Sequence, residues 1–265
     1  MKIPSEFDPI RPFEPEELPA VYDRILADKQ FQQVLAYLYP DVPKEALAQK
    51  MHGCKTNLDF QKAFCYPFLQ RLVTKLSLGC SIDAVNINTR NRYTFVSNHR
   101  DIVLDSALLD KLLLDVGFET TCEIAIGDNL LSQDWVRDLV RINKSFTVER
   151  ALHSVEMLRA SKRMSEYIHF AVAEKKENVW IAQRQGDDGA LGVLRLAHAR
   201  AGATGLALPV LGVDGGDLDV EDGLDGLLDL GLVGARRHEE RVLSTIHAGV
   251  GLLGDDRRDD DVAGV

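Results

Sequence analysis

The chain has 265 residues, 45% hydrophobic and 27% charged, the balance of a soluble globular protein able to bury a sizeable core in one or two domains. No run approaches the roughly 20 apolar residues that span a bilayer, and the start, Met-Lys-Ile-Pro-Ser-Glu-Phe-Asp-Pro, lacks the apolar core of a secretory signal, so a cytoplasmic location is expected. The net charge of −10 is uneven: residues 1–185 hold 24 Lys and Arg against 25 Asp and Glu, residues 186–265 only 7 against 16, so the near-neutral main body is compatible with an anionic substrate or membrane surface.

Residues 1–20 carry Pro4, Pro9, Pro12, Pro15 and Pro19 among acidic side chains and read as an extended lead-in. Apolar spacing then predicts short helices over 18–39 and 43–52. A longer helix is expected over 58–78, with Phe60, Phe64, Phe68, Leu72, Val73 and Leu76 on one face and a break or kink at Pro67. These elements make a helical N-terminal section over 1–85. Cys54, Cys65, Cys80 and Cys122 lack paired CxxC spacing and read as scattered reduced core thiols.

After the turn Asn88-Thr89-Arg90-Asn91 the pattern changes. Strand-like runs at 93–97, 122–126, 145–148 and 178–182 alternate with helical spacing at 102–116, 133–142 and 152–176. The alternation predicts an α/β fold over 86–186 with a mainly parallel sheet. Such sheets carry their sites at the carboxyl ends of the strands. His99, Asp128, Arg150 and Arg184 each fall just past a predicted strand end.

Residues 187–265 differ in kind. Every Phe, Tyr, Trp, Lys, Asn, Met and Cys lies at or before Trp180, while 16 of the 20 glycines lie from Gly186 onward. This acidic stretch, rich in Gly, Asp and Leu, has little material for a core. A disordered acidic tail is one reading. Calcium binding is another, although no EF-hand spacing or nonapeptide repeat occurs. Out-of-frame or joined-on sequence accounts for it best, because seven residue types vanish together at one point. A gene continuing in a single frame through this point would sink it. No function is assigned to this stretch.

The strand ends suggest a chemistry. Moving an acyl group from a thioester to an alcohol needs a base for the attacking hydroxyl, a role suited to imidazole. A carboxylate commonly fixes the imidazole tautomer, and helix N-terminal amides suit the oxyanion. His99 lies between a strand and a helix, with Asp101 and Asp105 following. No Gly-x-Ser-x-Gly elbow or Cys/His signature points to a covalent intermediate, so direct attack is the simpler route. Taken alone, a loop histidine such as His99 is more often a capping or surface residue. Arg150 and Lys144 offer a bidentate fork and a point charge for a phosphate, or else a solvated strand edge. Lys162 and Arg163 read as a solvated helix face, and Trp135 and Trp180 as core or interfacial anchors. His52, His153 and His169 have no ligand spacing, and no metal site is expected.

The segment Ser-Asn-His-Arg-Asp-Ile-Val-Leu-Asp at 97–105 resembles the His/Asp block of the glycerolipid acyltransferases. Three further segments follow in that family's order. Ile126-Gly127-Asp128-Asn129-Leu130 resembles the Gly-x-Asn segment of the glycerol-3-phosphate branch. Ser145-Phe146-Thr147-Val148-Glu149-Arg150 resembles the block ending in an acceptor-binding arginine. Val179 to Gly186 is similar to the apolar strand before the family's Glu-Gly and basic residues.

The resemblance, over about 90–186, implies an O-acyltransferase of phospholipid biosynthesis with His99 and Asp105 as catalytic pair. It implies Arg150, Lys144, Asn129 and Arg184 as substrate-binding residues. The co-substrate would be acyl-CoA or acyl-carrier protein, with no resident cofactor and no nucleic-acid partner. The acceptor would be lysophosphatidate first and glycerol-3-phosphate next, with an amino-acid lipid as a further alternative. A catalytically dead lipid- or partner-binding module is the rival. Membrane contact would be peripheral, at the inner face, with an apolar groove drawn from the Phe-rich 58–78 segment and the 108–114 helix, or with those residues serving as core.

Two features depart from the family pattern. Five residues, not four, separate His99 from Asp105, so the helix starts later, a bulge restores the contact, or Asp101 orients His99 instead. Gln185 replaces a glutamate, and Asp187 and Asp188 stand where basic residues would meet a phosphate that carboxylates repel. A loss of frame there would leave the chain as written inactive.

Overall fold

Four runs rich in β-branched, aromatic and aliphatic residues form a parallel sheet, and the helices between them cover both of its faces. The computed structural model describes residues 2–77, 79–85, 87–98, 101, 103–150, 154–183, 206–207 and 210–212. The main strands are β2 (Thr94–Asn98), β3 (Cys122–Gly127), β4 (Ser145–Val148) and β5 (Asn178–Gln183), in the order β4-β3-β5-β2. Every neighbouring pair is parallel. The two-residue β6 (Leu206–Ala207) lies parallel beside β2. Outside this sheet, β1 (Ser81–Asp83) pairs antiparallel with β7 (Val210–Gly212). The expected α/β class with alternating helices is therefore present.

Three helices connect the strands: α6 (Leu104–Asp115), α7 (Asp134–Ile142) and α8 (Ser154–Ala173). Period-two alternation sorts the strand side chains between them. Phe95, Cys122, Ile124 and Trp180 pack with Leu109, Leu112 and Leu113 of α6. Phe146 and Val179 pack on the other face with Tyr167, Ile168 and Ala171 of α8. Because α6 and α8 lie on opposite faces, the strands between them are covered from both sides, as parallel sheets require.

The N-terminal helices are α1 (Leu18–Ala27), α2 (Lys29–Leu38), α3 (Lys44–Gly53), α4 (Asn57–Phe60) and α5 (Tyr66–Leu76). Asp28 caps α2 by accepting the Gln30 and Phe31 N–H groups at 2.8 and 3.0 Å. Thr56 and Asp59 form a capping box at the start of α4. This section shares one core with the α/β part: Tyr22, Ile25, Met51, Phe60 and Phe64 pack with Trp135, Val136 and Ile142 around α7. Arg24 on α1 holds Asp138 on α7 through two hydrogen bonds of 2.6 and 2.9 Å.

The long helix expected over 58–78 is divided by a π turn, Gln61–Cys65, immediately before α5. Pro67 stands in the first turn of α5. Its ring crowds the carbonyl four residues back and removes one donor, and the wider turn accommodates both effects. The proline-rich lead-in is packed rather than merely extended. Ser5–Phe7 is a 3-10 turn, and Ile3, Phe7 and Ile10 are buried beside α8.

The candidate lipid-binding segments serve mainly as core. Phe60, Phe64 and Leu69 are buried, as are Leu109, Leu112 and Leu113, whereas Phe68, Leu72, Val73 and Leu76 of α5 stay half-buried. No helix among the described residues is long and apolar enough to cross a membrane.

Candidate functional site

A parallel sheet places all its strand carboxyl ends at one edge. Here β3 ends at Gly127 in register with Val148, the last residue of β4. Asn98 and Gln183, the last residues of β2 and β5, are likewise register partners. His99 and Arg184 follow those two residues directly and lie outside the described residues. The structure therefore places the strands that lead to them without describing the two side chains.

The β3 and β4 ends are described in full. After Gly127 the chain makes a 3-10 turn, Asp128–Leu130. Asp128 Oδ1 accepts the backbone N–H of Arg150 at 3.1 Å, tying this turn to the segment after β4. Asn129 and Arg150 are both exposed, and their side chains converge over Gly127. A Cβ at position 127 would lie 2.5 Å from Asn129 Oδ1 and 2.8 Å from Arg150 Nε. Glycine leaves room for both, and any side chain here would have to push them aside. The structure thus brings together two of the sequence-predicted substrate-binding residues, Asn129 and Arg150. Gly127 was legible as a motif member but not as the floor of their cluster.

The Arg150 guanidinium carries N–H donors suited to phosphate or carboxylate oxygens, and Asn129 turns its Oδ1 acceptor towards the same glycine. Next to them, Glu149 accepts a hydrogen bond from Arg163 of α8 at 2.8 Å. This ion pair fixes the start of the β4–α8 connection and removes Arg163 from the open face assigned to it.

On the β2 side, α6 starts at Leu104, two residues later than its periodicity predicts, so Asp105 falls in its first turn. Asp101 Oδ1 accepts the N–H groups of Val103 and Leu104 at 2.8 and 2.6 Å and so fixes the turn that leads into α6. The Asp101 N–H donates in turn to Asp105 Oδ2 at 3.1 Å. Of the two carboxylates considered for orienting His99, Asp101 is committed through this oxygen to the helix start. Asp105 is half-buried at the head of the helix that follows the histidine.

Lys144 requires a correction. It precedes β4 and therefore sits at the opposite, amino-terminal edge of the sheet. It ends α7 with a left-handed φ of 60°, a position usually given to glycine. Its ammonium turns inward, and the residue is only 3% exposed. Nζ donates to Glu177 Oε2 at 2.7 Å, Thr120 Oγ1 at 2.8 Å and the Thr121 carbonyl at 3.3 Å. With its three donors engaged across the starts of β3 and β5, it cannot reach an acceptor at the other edge.

The same edge holds buried Asp110 of α6. It accepts the Cys122 N–H at 2.8 Å and Gln61 Nε2, from the π turn, at 3.3 Å. Thr121 Oγ1 completes the network by donating to Gln61 Oε1 at 2.5 Å. Desolvation pushes the Asp110 carboxyl up to about 7, against the opposing pull of the Cys122 N–H and the Lys144 charge. Burial likewise pushes the neighbouring Cys65 thiol up to about 12. Among the described residues no cluster of three or more His, Cys, Asp or Glu side chains is arranged to hold a metal ion. No protein-family model matches the chain, and a search of curated proteins finds no significant relative.

Proposed function

We propose that the protein is an O-acyltransferase that moves a fatty acyl group from a CoA or acyl-carrier-protein thioester to a hydroxyl of a glycerol-phosphate acceptor. Lysophosphatidate is the first choice of acceptor and glycerol-3-phosphate the second. The observation that carries this reading is the meeting of Asn129 and Arg150 over Gly127 at the sheet edge to which β2 leads. Two of the four ordered motif segments thereby contribute side chains to one place.

In this reading His99 removes the proton as the acceptor oxygen attacks the thioester carbonyl. Asp105 orients the imidazole. The tetrahedral intermediate collapses by breaking the carbon–sulfur bond, and the thiolate leaves with the proton that His99 returns. Arg150 and Asn129 hold the acceptor phosphate, with Arg184 assigned to the same task. The enzyme works as a peripheral protein at the inner face of the membrane, where its lipid product remains.

The test is acceptor-dependent thiol release and acylated product formation from acyl-CoA and acyl-carrier protein. It is run on the chain as written and on a chain that continues after Gly186 in the frame found by resequencing the gene. Turnover lost in His99→Ala supports the proposal. Turnover by neither chain, with lipid still bound, overturns it in favour of a non-catalytic lipid-binding module.

A further inference from the structure

Helix α5 is loosely held. Of its eleven residues only Leu69 is buried, while Phe68, Leu72, Val73 and Leu76 stay half-buried. It lies beside α6, to which Tyr66 Oη ties it by donating to Asp115 Oδ1 at 2.6 Å. Between the two helices is a cavity of about 20 Å³, walled by Leu69 of α5, Ala107 and Leu114 of α6, Asn143 and the buried Asp110. One water needs about 10–15 Å³ and two to four polar partners, so the cavity has room for a water beside the carboxyl. The π turn Gln61–Cys65 runs into α5 at this point and supplies Gln61 to the same wall. Few buried contacts and an irregular turn mark a segment that opens before the rest of a fold.

Asp110 is short of donors for an ionised group. It accepts the Cys122 N–H at 2.8 Å and Gln61 Nε2 at a long 3.3 Å, with the weakly donating Cys122 thiol alongside. A carboxylate offers about four acceptor positions. The titratable and charged groups facing it are Cys65 of the π turn, Cys122 of β3, Lys144 before β4 and Glu177 before β5. Lys111, next along α6, turns away to Asp115 at 2.5 Å. Burial keeps both thiols protonated. Lys144 favours the ionised carboxyl, but it is itself bound to Glu177, which opposes ionisation. Desolvation outweighs these charges and holds the carboxyl near 7.

We propose that the contact between α5 and α6 is a proton-operated joint, shut while Asp110 is neutral and opened by its ionisation, when water enters beside the carboxylate and α5 loosens with the π turn. The sign follows from linkage. Asp110 ionises more readily in the open joint than in the shut one, so opening is favoured increasingly from about pH 4 to about pH 7 and levels off above. In the acyl-transfer reading the cleft between 58–78 and 108–114 is where an acyl chain is expected, and any bearing of the joint on donor binding rests on that reading.

The test is backbone hydrogen exchange of the full chain at pH 5 and pH 8, with exchange times scaled to the rates of free peptides. Opening of the Gln61–Leu76 segment should rise at least about tenfold between the two, and about eightyfold if opening hydrates the carboxylate fully. The amides of Tyr167–Ala173 in α8 should respond far less. In Asp110→Asn, which keeps the shape and removes the titration, opening of Gln61–Leu76 should be the same at both values. Equal opening at pH 5 and pH 8 in the native chain overturns the proposal. So does a rise of equal size in Gln61–Leu76 and in α8, which would make the response global unfolding, or a rise that persists in Asp110→Asn. The comparison of segments within the native chain needs no variant, so poor folding of Asp110→Asn leaves the test intact. Exchange is read without turnover, so absence of acyl transfer removes the enzymatic reading and leaves the joint standing.

Discussion

The two edges of the parallel sheet use similar residue types to opposite effect. At the amino-terminal edge, Lys144, Glu177, Thr120, Thr121, Gln61 and Asp110 turn inward and satisfy one another, joining the starts of β3 and β5 to α6 and to the π turn. At the carboxyl-terminal edge, Asn129 and Arg150 are exposed over a glycine. A buried ion pair that is fully hydrogen-bonded fixes structure, while donors left open to solvent are available to a ligand. Charge type alone does not separate the two roles. Position along the strand does.

The sharpest way to break this contrast is Lys144→Met. It leaves the Glu177 carboxylate without its cation in a mostly buried site, and the expected cost is about 3–5 kcal/mol of unfolding free energy in urea titration. Adding Glu177→Gln should recover part of that loss. Stability unchanged by Lys144→Met would show that the lysine is not structural and would reopen a binding role for it.

At the other edge the expectation is reversed. Arg150→Ala should leave the melting temperature unchanged and lower kcat/KM for a phosphate-bearing acceptor about 10–100-fold, the loss of one or two charge-assisted hydrogen bonds. A matching loss for an acceptor without a phosphate would remove the anchoring role. Gly127→Ala forces Asn129 and Arg150 apart, and both are exposed side chains able to move. Its effect should be smaller, about a tenfold rise in acceptor KM with little change in stability. An unaltered KM would mean that the cluster does not hold the acceptor.

A further effect concerns pH. The Asp110 carboxyl is held near 7, above its unfolded value of about 4. The folded chain therefore binds this proton more tightly than the unfolded chain does. The stability contributed by the neutral form is complete below about pH 4 and is lost as pH rises through about 7. Asp110→Asn should flatten that fall between pH 4 and 7 in denaturation curves. An identical pH slope in variant and native chain would place the titration elsewhere.

Much of this organisation was legible in the sequence, because hydrophobic period changes from helical to strand-like on either side of residue 90. The run Ser-Phe-Thr-Val gave β4 its bounds, and Gly117, with a φ of 92°, follows the end of α6 as a glycine stop should. Lys144 was misplaced although the sequence held the correction. Arg150 lies six positions further along, and at about 3.3 Å per extended residue that is roughly 20 Å, the two ends of one strand. The π turn was less legible, since a proline announces a break without giving its form. Burial of Ile3, Phe7 and Ile10 under α8, and the pairing of β1 with β7, depend on partners far away in the chain, which local spacing does not reveal.

The most direct test of the central claim is acceptor-dependent thiol release by the chain that continues in frame after Gly186 and by its His99→Ala variant. The account predicts measurable turnover that falls about 10²–10⁴-fold in the variant, the usual contribution of a positioned base, with the melting temperature unchanged. Equal rates in the two chains would contradict it.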